Sequence, residues 1–209
     1  HQSGRRQRQM CIRDRDDVLD LVLLNVRVPE ERKGDYMAQI AANKLGARRL
    51  QELFTKWTRE QISEGCTGII EAVTRRMRAG IADLPDGRYE FTDVLDDDGM
   101  GTTNIPICVK IDIQSDEIWL NFEGSASQVA GNMNNSFAGL QASVLFALKV
   151  LIDPDGPTNH GMLGPVHIDA PEASVVNASF PAATAARAQT CQRIIAVSYT
   201  HLRAHETYR

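Results

Sequence analysis

The apolar period of the chain changes at Pro85-Asp86-Gly87, and this change restricts the fold more than any single motif. Upstream, Met37, Ile40, Ala41, Leu45, Leu50, Leu53, Phe54 and Trp57 recur three and four residues apart. That spacing predicts an amphipathic helix from Gly34 to Trp57, or two helices broken near Gly46. A second helical pattern uses Ile62, Cys66, Ile69, Ile70, Val73, Met77 and Ile81 and stops at "LPDG". It places Cys66 in the core as a small hydrophobe rather than as a nucleophile.

Downstream the apolar residues alternate. "RYEFTDVL" reads as a strand, "IPICVKIDIQ" puts Ile107, Val109, Ile111 and Ile113 on one face, and "EIWLNF" does the same with Ile118, Leu120 and Phe122. The two-residue joint Ser115-Asp116 suits a tight antiparallel hairpin. A helix returns from Phe137 to Ile152, followed by the loop "DPDGPTNHGMLGP", a short strand "VHIDA" and a helix beginning near Thr184. The order predicts an α+β (mixed) fold, with helices flanking an antiparallel strand meander, as a fragment of a larger domain.

The two ends differ from the rest. "MCIRDR" and "VSYTHLRAHETYR" resemble translated sequencing-adapter DNA, so residues 1–15 and 197–209 are expected to be artefactual extensions around a natural segment, 16–196. The first fifteen residues carry five arginines and one aspartate and the last thirteen two arginines and one glutamate, so the formal charge of −4 becomes −9 without them. An acidic core of this kind lacks a nucleic-acid footprint. "GRRQR" is read as a solvated basic run rather than a localisation signal. The longest mostly apolar run, Leu140 to Ile152, is too short to span a bilayer, and no apolar signal-peptide core is present. Cys11, Cys66, Cys108 and Cys191 form no C-x-x-C pair, which favours reduced thiols in a cytoplasmic protein.

"DVLDDDGM" fails as an EF-hand, because Gly99 at loop position six would put Val94 at one and Ile105 at twelve; a solvated acidic turn is the simpler expectation. Neither a Walker-type nor a dinucleotide-type glycine loop occurs. His160 and His167 with Asp169 offer at most a loose metal set, and hydrogen-bonded histidines are the simpler reading. There is no G-x-S-x-G elbow.

The segment "NFEGSASQVAGNMNNS" is rich in Gly, Ser and Asn and lies between a strand and a helix. Its N–H groups and the following helix N-terminus could hold a carboxylate, a phosphate or a developing oxyanion, or the segment could be a turn only. Ser125, Gln128, Gly131 and Asn134 are its candidate substrate-facing residues. Asn159 and His160 lie in the later Pro/Gly loop. Arg187 and Thr190 share a helical face and are candidate anion-facing groups, with Cys191 as packing and Arg193 as a structural ion-pair partner.

Five segments in order, "NVRVPEERKGDYMAQIAANKLGARRLQEL", "LPDGRYEFTDVLDDDG", "NFEGSASQVAGNMN", "PTNHGMLGPVHIDAPEASVVNASFPAATAAR" and "TCQRI", resemble the hydantoinase B/oxoprolinase family. The resemblance implies a fragment of the B-type subunit of an ATP-dependent cyclic-amide hydrolase, opening 5-oxoproline or a hydantoin. It also implies a hetero-oligomer in which a hydantoinase A-type partner uses ATP, which would account for the missing nucleotide loop. A ketone carboxylase subunit and a non-catalytic assembly module are the alternatives. The family has Asp-Phe where this chain has Asn121-Phe122. The resemblance further implies that a divalent metal, if used, is held by a region upstream of "NVRVP". Catalytic residues remain unassigned, and the fragment alone is expected to be inactive.

Overall fold

The structure is a computed structural model that describes residues 16–204. The chain divides into two compact units, residues 1–64 and 65–209. Residues 1–15, with Cys11 and the "GRRQR" run, lie outside the described residues, as does the end of the C-terminal extension from 205.

In the first unit, α1 (Asp16–Leu23) precedes α2 (Pro29–Phe54). Pro29 opens α2 where its missing N–H costs nothing, and Glu30 and Glu31 in the first turn complement the helix dipole. Of the two readings, one helix or two broken near Gly46, the chain takes the single helix. A mid-helix glycine costs only about 1 kcal/mol relative to alanine, too little to interrupt a long helix. No residue of α2 is buried, so its apolar positions are not core positions within the described residues.

Helix α3 (Arg59–Ala82) starts before the unit boundary and enters the second unit. Only its C-terminal half is buried, through Val73, Met77 and Ile81; Cys66, Ile69 and Ile70 are exposed. The expectation of a core Cys66 is therefore corrected. Periodicity marks an apolar stripe but cannot say how far along it a neighbour extends.

The second unit holds a four-stranded sheet in the order β1 (Gly87–Asp97), β2 (Thr103–Gln114), β3 (Glu117–Asn121) and β4 (Val166–Asp169). The alternation fixes the register. Ile105, Ile107, Val109, Ile111 and Ile113 are all buried on one face of β2, and Ile118, Leu120 and Phe122 continue that face. Ser115 takes a positive φ of 56° in the two-residue joint, which lets Gln114 pair with Glu117. β1, β2 and β3 are antiparallel, whereas β4 pairs with β3 in parallel, because α4 (Phe137–Ile152) lies in the connection between them. Ser136 caps α4 by accepting the Gly139 N–H.

The opposite sheet face is polar. His167 stacks on Trp119 at 4.8 Å between ring centroids, and its Nε2 lies 3.1 Å from Glu117, which Arg78 of α3 also holds at 2.9 Å. Those partners keep the Glu117 carboxyl below its ordinary range, with the Arg78 hydrogen bond as the largest cause.

Helix α5 (Arg187–Ala204) closes the unit. It begins three residues later than the expected start near Thr184. The Ala183 carbonyl accepts from Asn134, and the Ala186 N–H donates to the Asn132 carbonyl, so 183–186 is tied to the glycine loop instead of to helical partners. Within the C-terminal stretch that the sequence marks as foreign, Val197 is fully buried against the core. Among the described residues no helix is long and apolar enough to cross a membrane.

Candidate functional site

Three segments singled out in the sequence converge on one cleft of about 550 Å³. Its walls are the acidic end of β1 and the turn that follows it (Leu95 to Gly99), the loop residues Asn132 and Met133, and Ala186, Gln189, Gln192 and Arg193 of the α5 region.

The acidic turn is built by its own carboxylates. Asp97 accepts the Gly99 N–H at 2.8 Å. Asp98 accepts from Met100 and Thr102 at 2.9 Å each and, through its other oxygen, from Gly131 at 3.1 Å. Asp98 is only 5% exposed. This corrects the expectation of a solvated turn: Asp96 and Asp97 are exposed, but Asp98 is the anchor. Burial works to raise its pKa, and the three backbone N–H donors outweigh burial and hold the carboxyl below the usual range.

The glycine loop is equally committed. Ser125 Oγ accepts the Cys108 N–H at 3.0 Å and donates to the Cys108 carbonyl at 3.2 Å, docking the loop on β2. Gln128 Oε1 accepts the Ser179 N–H at 2.9 Å. Fully buried Asn134 accepts from the Val129 N–H and donates to the carbonyls of Val129, Gly131 and Ala183. Thr190, also fully buried, donates to the Met133 carbonyl. Gly131 is required by close approach, since a Cβ there would sit 2.2 Å from the Asp98 carbonyl oxygen.

The candidate residues thus separate. Gly131, Asn134 and Thr190 hold the cleft wall together from behind, with their polar groups bonded to the protein. Arg187 is exposed, next to the lining residue Ala186. Ser125 and Gln128 anchor the loop and are not among the lining residues. Asn159 and His160 lie elsewhere: Asn159 caps a short 3-10 helix by accepting the Gly161 N–H at 2.8 Å, and His160 is exposed beside it. Arg193 is an ion-pair partner as expected, 3.0 Å from Asp93 of β1, although it also lines the cleft. His167 is a hydrogen-bonded histidine, also as expected.

Asp98, Asn132, Gln189 and Gln192 were missed. No local signal marks them, because Asp98 acquires its role from a residue 33 positions away.

Chemically the cleft presents two exposed carboxylates, three amides and a guanidinium, a surface suited to orienting a small polar molecule by hydrogen bonds. Among the described residues no group of three or more His, Cys, Asp or Glu is placed to hold a metal ion.

Comparison with known proteins extends this picture. The hydantoinase B/oxoprolinase family model matches residues 6–208. The caprolactamase subunit beta of Pseudomonas jessenii is 34% identical over 170 residues, covering 80% of this chain and 29% of that protein. The 5-oxoprolinase 1 of Arabidopsis thaliana is 28% identical over 193 residues, covering 84% of this chain and 15% of that protein. The crystal structure of the ATP-dependent caprolactamase from Pseudomonas jessenii superposes with a TM-score of 0.82 at 29% identity, over 91% of this chain and 33% of that one. This chain spans about a third or less of each of these proteins. With the family model matched along nearly its whole length, the chain belongs to the hydantoinase B/oxoprolinase family.

Proposed function

We propose that this chain is part of the B-type subunit of an ATP-dependent cyclic-amide hydrolase that opens a ring such as 5-oxoproline or a hydantoin. The observation that carries the reading is the 0.82 TM-score match to the ATP-dependent caprolactamase over 91% of the chain. An amide carbon resists water because its nitrogen donates electron density toward the carbonyl oxygen and is itself a poor leaving group. ATP, used by an A-type partner subunit, supplies the phosphoryl group that converts that oxygen into a leaving group. The B-type part then has to seat the activated ring and deliver a first water to the carbonyl carbon so that the C–N bond breaks, the nitrogen leaving as a protonated amine and an acyl phosphate remaining. A second water at the same carbon expels phosphate, and the negative charge that develops at each addition has to be stabilised.

In this reading the cleft is part of that seat. Gly131, Asn134 and Thr190 hold its wall from behind, Ser125 and Gln128 anchor the loop that carries it, and Arg187 at the edge reads a substrate carboxylate. Asn159 and His160 belong to a separate surface. A divalent metal, where the family-length enzyme uses one, is held by residues outside this chain. The free cysteines Cys66, Cys108 and Cys191 support a reducing, cytoplasmic setting.

The test is reconstitution of the family-length subunit with its ATP-using partner, offered 5-oxoproline, hydantoin and caprolactam, and separately acetone with bicarbonate. The expected outcome is ring opening coupled to ADP release. Carboxylation of the ketone with no lactam opened would replace this reading with that of a carboxylase, and no turnover of either class would favour an assembly module.

A further inference from the structure

Helix α4 is apolar on both sides. Leu140, Val144, Ala147 and Leu148 face the core, while Ala138, Ala142, Phe146 and Val150 form an exposed row at four-residue spacing. Phe146 is 58% and Val150 45% exposed. No charged residue stands in this row. The helix's one charged residue, Lys149, is turned onto the carbonyls of Asp153 and Gly156. A surface helix carries polar residues on its outer face, and a helix apolar all round belongs inside a larger body.

The shape of the row indicates what covers it. A line of residues four apart is the ridge that helix packing uses, with two alanines giving close approach at one end and Phe146 and Val150 filling a groove at the other. The ridge is only about 18 Å long at 1.5 Å per residue. A free-standing interface needs roughly 800 Å² per partner, more than four side chains supply. An intramolecular contact escapes that requirement, because the two surfaces are already held at high effective concentration. The chain covers 29% of the caprolactamase beta subunit and 33% of its solved chain, so most of a family-length subunit lies outside these residues.

We propose that the outer face of α4 is an internal packing surface, covered by a helix from the rest of the family-length B-type subunit. This needs only the family membership and not the activity proposed above. The test places Phe146→Lys in two proteins, residues 1–209 alone and the uninterrupted family-length subunit. In the short chain the melting temperature should move by no more than about 2 °C, since nothing is displaced. In the long subunit it should fall by about 5 °C or more, because a lysine would be buried without a partner. Should the lysine variant not be recoverable there, Phe146→Ala reads the same effect, smaller and in the same direction. Equal insensitivity of both proteins overturns the proposal. A dimer of the short chain that Phe146→Lys dissociates, measured by sedimentation, overturns it in favour of a second copy. A long subunit that keeps its stability but loses its ATP-using partner overturns it in favour of that partner.

Discussion

Asp98 and Gly131 hold each other twice over: the Asp98 carboxylate accepts the Gly131 N–H at 3.1 Å, and a Cβ on Gly131 would lie 2.2 Å from the Asp98 carbonyl oxygen. Two loops that leave the same end of the sheet, one after β1 and one after β3, therefore meet with backbone atoms in close approach. Gly131→Ala should destabilise the fold by about 1–3 kcal/mol or more, as overpacking against fixed atoms does. Urea unfolding at constant m-value checks this.

Asp98 also sets a pH dependence. Its folded-state carboxyl is held below the ordinary value of about 4, so between those two values the unfolded chain binds more protons than the folded one. The stabilisation is complete above pH about 4 and is lost as pH falls through the folded pKa. Asp98→Asn should lower stability at pH 7 and flatten the acid limb of the stability profile. Thermal melts from pH 7 to pH 3 give both readings.

Asn134 joins the loop to itself and to Ala183, the residue ahead of α5. Asn134→Ala leaves one donor and three carbonyls without this partner, and a loss of about 2–4 kcal/mol is expected. Thr190→Val, which deprives only the Met133 carbonyl, should cost about 1–2 kcal/mol. Chemical denaturation of both variants orders them, and a Thr190 variant as damaged as the Asn134 variant would contradict the assignment.

How much of this was legible depended on whether the physics was local. The alternation of Ile107, Val109, Ile111 and Ile113 reports a half-buried strand directly, and the structure buries all four. The apolar run from Phe137 to Ile152 defines α4 to the residue. Local pattern failed where a distant partner decides the outcome. Asp98 looks like its two exposed acidic neighbours until Gly131 folds onto it. Thr184 looks like a helix cap, but Asn132 and Asn134 take the backbone groups around it and delay the helix to Arg187. Cys66 keeps the helical period yet stays exposed, because full burial along α3 begins only at Val73. The candidate residues of the glycine loop were found by composition, and their backbone-holding roles came only with the fold.

Arg187 is the sequence-derived candidate whose guanidinium is exposed at the start of α5. A lysine keeps the charge and loses the planar fork that grips a carboxylate. In the reconstituted enzyme Arg187→Lys should raise KM for 5-oxoproline about tenfold, the equivalent of about 1.4 kcal/mol, and leave KM for neutral hydantoin unchanged. Steady-state kinetics on the two substrates decide it; an equal effect on both, or none, removes Arg187 from carboxylate recognition.

In the proposed function, the complex containing this chain delivers water to a carbonyl carbon whose oxygen has been made a leaving group. The most direct measurement follows that oxygen. With 5-oxoproline labelled with oxygen-18 at the ring carbonyl, turned over by the family-length complex with ATP in unlabelled water, the label should leave with inorganic phosphate. The new product carboxylate then takes both of its oxygens from water. Mass spectrometry of the phosphate and the product reads the two pools. Label retained in the product, with phosphate unlabelled, would contradict the account.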